Sequence, residues 1–226
     1  MKNKIHIRRK QFHTWSYIIF GVVTFIIYAF AQAWMFSKNI FANFLALLAT
    51  GLVATFVIYN YKDKNISYNK FFAKFRCKGW PYKILASILG VCLILLGLGI
   101  YLLVIMKLGM TPGDNNNQDL LVKLASDNKI RFFLETVIMG PIFEESIFRY
   151  AMISFKNNKW LLFTSLISVI IFAAAHVAGS QHYLLIFCNY LMPSIGFTLV
   201  YDYTEDSRCS MLTHMLYNLV AFSAIM

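Results

Sequence analysis

The chain has 226 residues, of which 59% are hydrophobic and only 14% are charged. A soluble globular domain carries about 25% charged residues, so this composition excludes an ordinary soluble domain and is typical of a membrane protein with several spans. The net charge of +11 comes from 21 Lys and Arg against 10 Asp and Glu. Because the basic residues lie in short stretches between apolar runs, the charge indicates cytoplasmic loops and no nucleic-acid partner.

Seven apolar runs are long enough, or nearly so, to cross a bilayer as helices, which takes about 20 residues. They are residues 15–36, 41–61, 84–106, 132–155, 160–178, 183–201 and 210–226. Strands are not expected, since an open sheet leaves backbone groups unpaired in lipid. The sequence therefore predicts an all-α polytopic membrane bundle of about seven transmembrane helices, with residues 1–226 forming a single integral membrane domain.

The N-terminal run could pass for a secretory signal, with basic residues first and small residues at 29–31. Its apolar part continues to about Phe36, which is longer than the apolar region of a typical signal peptide, and further spans follow. We therefore expect an uncleaved first membrane helix.

Basic residues concentrate in alternate loops. Residues 1–14 hold five, residues 62–83 hold seven, residues 156–159 hold two, and Arg208 lies in the last of these loops. With the N-terminus inside, 15 basic residues are cytoplasmic and five are external, which predicts an N-in, C-out topology. The abundant residues Lys, Asn, Ile, Phe and Tyr are encoded by A/T-rich codons, which indicates a bacterium. We therefore expect a bacterial cell membrane.

Two loops carry further signals. Residues 62–83 mix lysines with phenylalanines, so they form either an interfacial amphipathic helix or a solvated basic loop. Residues 110–119, MTPGDNNNQD, are polar and contain Pro and Gly, which predicts an external loop.

Six ionisable side chains fall inside the predicted spans. A charge at the centre of a bilayer costs about 2.5 kcal/mol or more, so such residues persist when they pair, face a cavity or do chemistry. The six are Glu135, Glu144, Glu145, Arg149, His176 and His214, and the other polar residues of note are Asn189 and Asn218.

The stretch GPIFEESIFRY, residues 140–150, holds three of these charges. Glu145 and Arg149 are four residues apart, so they share a helix face and can neutralise each other. Glu144 points about 100° away from Glu145, and Pro141 can kink the helix and open space for water beside Glu144. The structural alternative is a buried ion-pair cluster of all three, which would leave one negative charge spare.

The next two motifs each add a polar helix face. Phe172 and His176 are four residues apart, separated by alanines that let another helix approach closely. His214 and Asn218 are again four apart and can point together at one small group. Each histidine alone is more often a satisfied core residue. Together with Glu144 they supply a general base for water and donors for an oxyanion.

A metal site is the alternative use of the same side chains. Glu144, His176 and His214 form a His2Glu set, which is known for catalytic zinc. No HExxH motif, in which one helix supplies two ligands, is present in the sequence. The residues alone leave both uses open.

The patterns EExxxR, FxxxH and HxxxN, in this order on late spans, resemble the CPBP (Abi) family of intramembrane proteases. That family includes CAAX-processing endoproteases of the Ras-converting type and bacterial bacteriocin-processing or self-immunity proteins. Pro141 and Phe143 also fit the family's approach to the first motif. The similarity covers roughly residues 131–226, which carry the catalytic motifs, and the first three spans match only as generic membrane helices.

The resemblance implies catalytic roles for four residues. Glu144 resembles the family's general base, which activates water with His176. His214 and Asn218 resemble the pair that stabilises the oxyanion.

The resemblance also implies supporting residues. Glu145 resembles the second glutamate, which pairs with Arg149 and orients the site, and Phe172 belongs to the second motif. The family has been described both as metalloproteases and as metal-free glutamate proteases. We favour a metal-free site without cofactor, because a carboxylate–histidine pair suffices as base, with zinc as the alternative.

The sequence therefore predicts an intramembrane endopeptidase in a lipid bilayer, acting on a peptide or membrane-protein substrate. The bacterial composition favours a peptide pheromone, bacteriocin leader or anchored protein over a prenylated CAAX protein. One alternative is a non-catalytic bacteriocin self-immunity or regulatory protein that uses the polar cluster structurally. Another is a small transporter with a proton relay, which the absence of an evident repeat disfavours. Oligomeric state is left open.

The predicted span limits place the three motif helices at different depths. His176 falls near the outer end of its run, His214 near the inner end of the last run, and Glu144 in mid-span. At about 1.5 Å per residue, we expect depth differences of roughly 10 Å or more. Convergence of the three side chains would then require tilted or broken helices.

Overall fold

Helices make up most of the chain in our computed structural model, which describes residues 2–61, 79–110, 128–153, 161–177 and 182–225. Helix α1 is Lys2–Phe36, α2 Ile40–Tyr61, α3 Trp80–Lys107, α5 Leu161–Ala175, α6 Tyr183–Thr204 and α7 Ser207–Ile225. Between α3 and α5 lies α4, a continuous composite helix over residues 129–151. Its segments are Lys129–Phe133, Leu134–Met139, Gly140–Glu145 and Ser146–Ala151.

The predicted all-helical bundle is confirmed, and each of the seven apolar runs overlaps one of these helices. In the described part of the chain, four helical segments are long and apolar enough to cross a membrane. They are Trp15–Met35, Ile40–Tyr59, Trp80–Lys107 and Tyr183–Thr204. Helix α5 is apolar but shorter. Most of the predicted segment 62–83, the predicted loop 110–119 beyond its first residue and the basic loop 156–159 lie outside the described residues.

Helix α3 begins four residues earlier than predicted. Gly79 precedes it with φ 117°, a left-handed conformation that favours glycine, and Pro81 lies in its first turn. Proline is favoured in a first turn because the missing N–H has no helical acceptor there. The helix therefore includes Lys83, which the sequence placed in a loop.

Helix α4 is the centre of the bundle because it contributes to all three buried apolar clusters of the described residues, of which two are larger. Toward α1 and α2, the buried residues are Ala31, Met35, Ala46, Val53, Met139, Ile142 and Phe143. Toward α3, α5 and α6, they are Ile94, Ile147, Phe148, Phe172 and Phe197. The charges of the first motif are thus carried by the helix that packs against neighbours on both sides.

Two segments of α4, Leu134–Met139 and Ser146–Ala151, are wound as π-helix. In the first, the N–H of Gly140 bonds to the carbonyl of Glu135, five residues back. Pro141 follows directly and has no N–H to continue the hydrogen-bond ladder. Wide turns of this kind are frequent at functional sites, and here they flank the two glutamates.

The turn between α6 and α7 is fixed by one buried carboxylate. Asp206 accepts hydrogen bonds from Lys83 Nζ at 2.6 Å and from Arg208 Nη2 at 2.8 Å. Burial by itself would raise the pKa of Asp206, but the hydrogen bonds and charges of Arg208 and Lys83 lower it below the usual value. Both cations also lie over the Trp80 ring. This cluster ties the start of α3 to the start of α7.

The contact between α3 and α6 depends on glycine. A Cβ at Gly196 would collide with the side chain of Ile94, which is buried. Gly99, by contrast, has nothing within 4 Å of the position of a Cβ. A side chain therefore has no space at Gly196 but has space at Gly99, although both residues lie in apolar helices.

We predict that Gly196→Ala destabilises the folded protein by about 1–3 kcal/mol, because the added methyl group forces Ile94 and the two helices apart. Heating the detergent-solubilised variants and measuring the fraction that remains monodisperse checks this. Gly99→Ala is the matched control and should melt like the wild type. Equal melting of both variants would contradict the close packing.

Candidate active site

The side chains of two histidines from different parts of the bundle converge on Glu144. Its Oε2 lies 3.8 Å from His176 Nε2 and 3.9 Å from His214 Nε2. The predicted depth difference of roughly 10 Å is wrong. Helix α7 begins at Ser207, three residues before the predicted start, so His214 lies two turns inside it. Helix α5 ends at Ala175, so His176 directly follows the helix end.

Glu145 and Arg149 form the ion pair that their spacing predicted. Arg149 Nη1 donates to Glu145 Oε1 at 3.0 Å, and both side chains are fully buried. Arg149 Nη2 donates to the carbonyl and hydroxyl oxygens of Ser194 on α6, at 3.0 and 2.9 Å. Its guanidinium carbon lies 4.6 Å from the centre of the Phe172 ring. Phe172, the supporting residue of the second motif, thus packs against the buried cation.

Glu145 also binds α7. Its Oε1 accepts from His214 Nδ1 at 2.9 Å, and its Oε2 accepts a short hydrogen bond from the hydroxyl of Ser210. The carboxylate therefore has donors from α4 and α7, and none of its oxygens is directed at Glu144. Both oxygens of Glu145 are thus occupied by donors within the bundle, whereas Glu144 faces the two histidines.

The hydrogen bond to Glu145 fixes the tautomer of His214. An ionised carboxylate only accepts, so Nδ1 carries the hydrogen and Nε2 faces Glu144. The imidazole also stacks on Phe197 with ring centres 4.1 Å apart. His214 is buried and held on two sides, so its Nε2 has one well-defined direction.

His176 is oriented in a similar way. Its Nδ1 lies 2.8 Å from the carbonyl oxygen of Phe172, which can only accept, so Nδ1 carries the hydrogen. The ring lies 4.5 Å from both the Phe172 and Tyr190 rings. In the neutral ring, Nε2 is then a hydrogen-bond acceptor that faces Glu144.

Asn218 has a structural partner that the sequence did not reveal. Its Nδ2 donates to the backbone carbonyl of Thr136 at 2.8 Å. In regular helix that carbonyl would bond to Gly140, whose N–H instead takes Glu135, and the next residue is Pro141. Since proline has no N–H, the amide of Asn218 satisfies a carbonyl that the wide turn leaves without a helical donor. This hydrogen bond uses one of the two amide hydrogens of Asn218, and the expected pairing of Asn218 with His214 at one oxyanion stays a prediction.

Sequence reasoning missed Tyr28 on α1. Its hydroxyl donates to Glu144 Oε1 at 2.9 Å, and Gln32 on the same helix donates to that hydroxyl at 3.0 Å. A tyrosine in an apolar run usually finds a partner for its hydroxyl when buried. From that tendency the sequence could have indicated that the Tyr28 hydroxyl has a hydrogen-bond partner. It could not have indicated which helix supplies the partner. Ser194 and Ser210 were missed because their hydrogen bonds to Arg149 and Glu145 depend on how the helices pack.

The zinc alternative depends on three of these side chains. Glu144, His176 and His214 are the right types of ligand, yet no group of three His, Cys, Asp or Glu in the described ranges is arranged to hold a metal ion. The two nitrogens and Oε2 are close enough to contact one water or one substrate atom. Zinc held by these three residues stays an alternative prediction.

The part of the chain that carries these residues matches a known family. Residues 126–220 match the model of type II CAAX prenyl endopeptidase Rce1-like proteins, and all three motifs fall within that range. Because of this similarity, residues 126–220 are called the Rce1-like region below. The predicted resemblance to CAAX-protease-like membrane proteins is thereby confirmed for this region, while α1 to α3 lie outside the match.

A further comparison adds a distant relative. An uncharacterized protein of Mycoplasma capricolum subsp. capricolum is 28% identical over 131 residues, which are 54% of this chain and 38% of that protein. The chain therefore covers well under half of the length of this relative. No solved structure matches the chain.

We predict that the two adjacent glutamates of the Rce1-like region differ in their effect on stability. Glu145→Ala should destabilise the protein by about 3–5 kcal/mol, because it leaves the buried Arg149 charge without its carboxylate. Glu144→Ala should retain near wild-type stability, since its side chain is partly exposed, whereas that of Glu145 is fully buried against Arg149. Thermal unfolding of both variants in the same detergent measures the difference, and equal melting temperatures would contradict it.

Proposed function

We propose that this protein is an intramembrane endopeptidase of the Rce1-like type that hydrolyses a peptide bond in a membrane-associated peptide or protein. The observation that carries the proposal is the approach of two imidazole Nε2 atoms to within 3.9 Å of one partly exposed carboxylate oxygen, Glu144 Oε2. The family match supports protease activity at the level of the family.

Glu144 and His176 are the proposed water-activating pair. A water between them would donate one hydrogen to Glu144 Oε2 and the other to His176 Nε2, the acceptor nitrogen of the neutral ring. As the water oxygen forms a bond to the peptide carbonyl carbon, Glu144 takes a proton from it. When the C–N bond breaks, Glu144 returns that proton to the leaving amine, so the carboxylate is regenerated.

His214 is the proposed oxyanion donor. Glu145 occupies its Nδ1–H, so Nε2 can donate only when the ring is an imidazolium. Because Glu145 and Arg149 neutralise each other, an imidazolium at His214 would balance the remaining charge of Glu144. A fixed, buried donor of this kind stabilises a developing oxyanion strongly. Asn218 has a second amide hydrogen and keeps the first on Thr136, so we assign it a supporting contribution to the same oxyanion.

The proposal is metal-free. Glu144 can serve as the base without a Lewis acid, which is the ground for this preference. A zinc enzyme using Glu144, His176 and His214 is the alternative, and its test is separate from the test of activity.

The setting of the proposed enzyme is a bacterial cell membrane, with several spans and a cytoplasmic N-terminus. The supporting observations are the apolar helices and the excess of basic residues in alternate loops. A peptide pheromone, bacteriocin leader or anchored protein is the proposed substrate class.

A non-catalytic immunity or regulatory protein is the second candidate function. One specific observation favours it: Glu145, Arg149 and Asn218 each hold helices together through buried or half-buried hydrogen bonds. That account leaves Glu144 and its approach to two histidines without a purpose, which is why the endopeptidase is preferred.

We predict that Glu144→Ala and His176→Ala each abolish cleavage while the protein still folds. The measurement uses proteoliposomes and an internally quenched peptide library that contains prenylated, acylated and membrane-anchored members, with products identified by mass spectrometry. His182→Ala is the matched control, because His182 is exposed at the start of α6. A library without any Glu144-dependent product would overturn the endopeptidase and favour the non-catalytic candidate.

We also predict that cleavage persists after dialysis against EDTA or 1,10-phenanthroline, because Glu144 itself acts as the base. The same proteoliposomes provide the assay, and metal content is measured before and after treatment. Inhibition by the chelators that added zinc reverses would replace the metal-free mechanism with a zinc mechanism.

A further inference from the structure

The two oxygens of Glu144 have different surroundings. Oε2 faces His176 and His214, whereas Oε1 accepts a hydrogen bond from Tyr28 at 2.9 Å. Tyr28 precedes Glu144 by 116 residues in the sequence. It lies on α1, outside the Rce1-like region. An N-terminal helix therefore contacts the carboxylate that the proposed reaction uses.

Gln32 determines where the Tyr28 hydroxyl points. Its Nε2 donates to the Tyr28 oxygen at 3.0 Å, one helical turn away on the same face. A hydroxyl that accepts there directs its own hydrogen to the remaining acceptor, which is Glu144 Oε1. Successive hydrogen bonds in one direction strengthen each other in a low-dielectric interior.

Glu135 fixes Gln32 in turn. The same Gln32 nitrogen lies 3.3 Å from Glu135 Oε1, so the two hydrogens of the amide go to Tyr28 and to Glu135. Glu135 is buried, and the proposed reaction gives it no role. A buried carboxyl in an apolar bundle is costly, and this contact is the one that ties it to the site.

The Tyr28 hydroxyl and Glu144 Oε1 also lie close to Gly140 of helix α4. A Cβ at Gly140 would lie 3.5 Å from the Tyr28 hydroxyl, 3.6 Å from Glu144 Oε1 and 3.2 Å from the Glu135 carbonyl oxygen. The Tyr28 ring stacks on Phe143 with centres 4.9 Å apart and planes 17° apart. The hydroxyl is thus placed by ring packing and by hydrogen bonding independently.

We propose that Tyr28, held by Gln32 and Glu135, is a positioning residue that anchors Glu144 Oε1 so that Oε2 alone is presented to the reacting water. The inference rests on the proposed endopeptidase function. It adds that the site is incomplete without α1, although that helix carries none of the family motifs.

The test compares kcat and KM for the peptide from the library that the wild type cleaves best. Tyr28→Phe keeps the ring on Phe143 and removes the donor, so kcat should fall about 10- to 100-fold with KM unchanged, as expected for loss of a hydrogen bond to a charged group. Gln32→Met keeps the length of the side chain and should lower kcat about fivefold. Because Gln32 acts through Tyr28, the double variant should match Tyr28→Phe alone.

Tyr17→Phe is the matched control. Tyr17 lies on the same helix and its ring packs against Tyr150 and away from the site. It should lose stability to the same small extent as Tyr28→Phe but keep wild-type kcat. The isotope-edited infrared band of ¹³C-labelled glutamate, assigned by difference with Glu144→Gln, should shift in Tyr28→Phe and not in Tyr17→Phe.

Each result decides a separate point. Glu144-dependent cleavage with unchanged kcat in Tyr28→Phe overturns the positioning role and leaves the endopeptidase intact. A raised KM with unchanged kcat also overturns it, since Tyr28 would then serve substrate binding. Absence of any Glu144-dependent product in the wild type overturns the endopeptidase and the positioning role together.

Discussion

The buried pair of Glu145 and Arg149 is the interaction on which the rest of the site depends. Moving two charges out of water costs several kcal/mol per ion, and only good geometry with further hydrogen bonds offsets that cost. Ser194 on α6 and Ser210 and His214 on α7 supply those bonds. One ion pair on α4 therefore fixes the neighbouring helices α6 and α7, and with them the direction of the His214 ring.

The inward anchoring of Glu145 determines where Glu144 points. Consecutive residues of a helix lie about 100° apart, so Glu144 faces away from the pair and toward α1 and the end of α5. The wide turn before the two glutamates leaves the Thr136 carbonyl without a helical donor. Asn218 offsets that loss, because its amide donates a hydrogen bond to this carbonyl. A motif residue that resembles a catalytic amide thus also holds the distorted backbone beside Glu144.

The sequence predicted what depends on spacing within one helix. The pairing of Glu145 with Arg149, the separate direction of Glu144 and the number of helices follow from periodicity and apolar length. Contacts between helices did not follow, because the bond from Tyr28 to Glu144 depends on how two helices pack. Depth was misjudged for a related reason: polar residues such as Ser207 continue α7 beyond its apolar run, and hydropathy alone does not mark such ends.

Exposure separates the groups that meet water from those that do not. The side chains of His176 and Glu144 are 25% and 14% exposed, whereas those of His214 and Glu145 are 5% and 0% exposed. In the proposed reaction, water and substrate approach from the His176 side, and the buried imidazole lies behind the carboxylate. This order matches the proposed chemistry, because the base must exchange protons with an incoming water while the oxyanion donor gains strength from a low-dielectric environment. Tyr28 binds the remaining oxygen of Glu144, so the carboxylate cannot turn away from that approach without breaking a bond to α1.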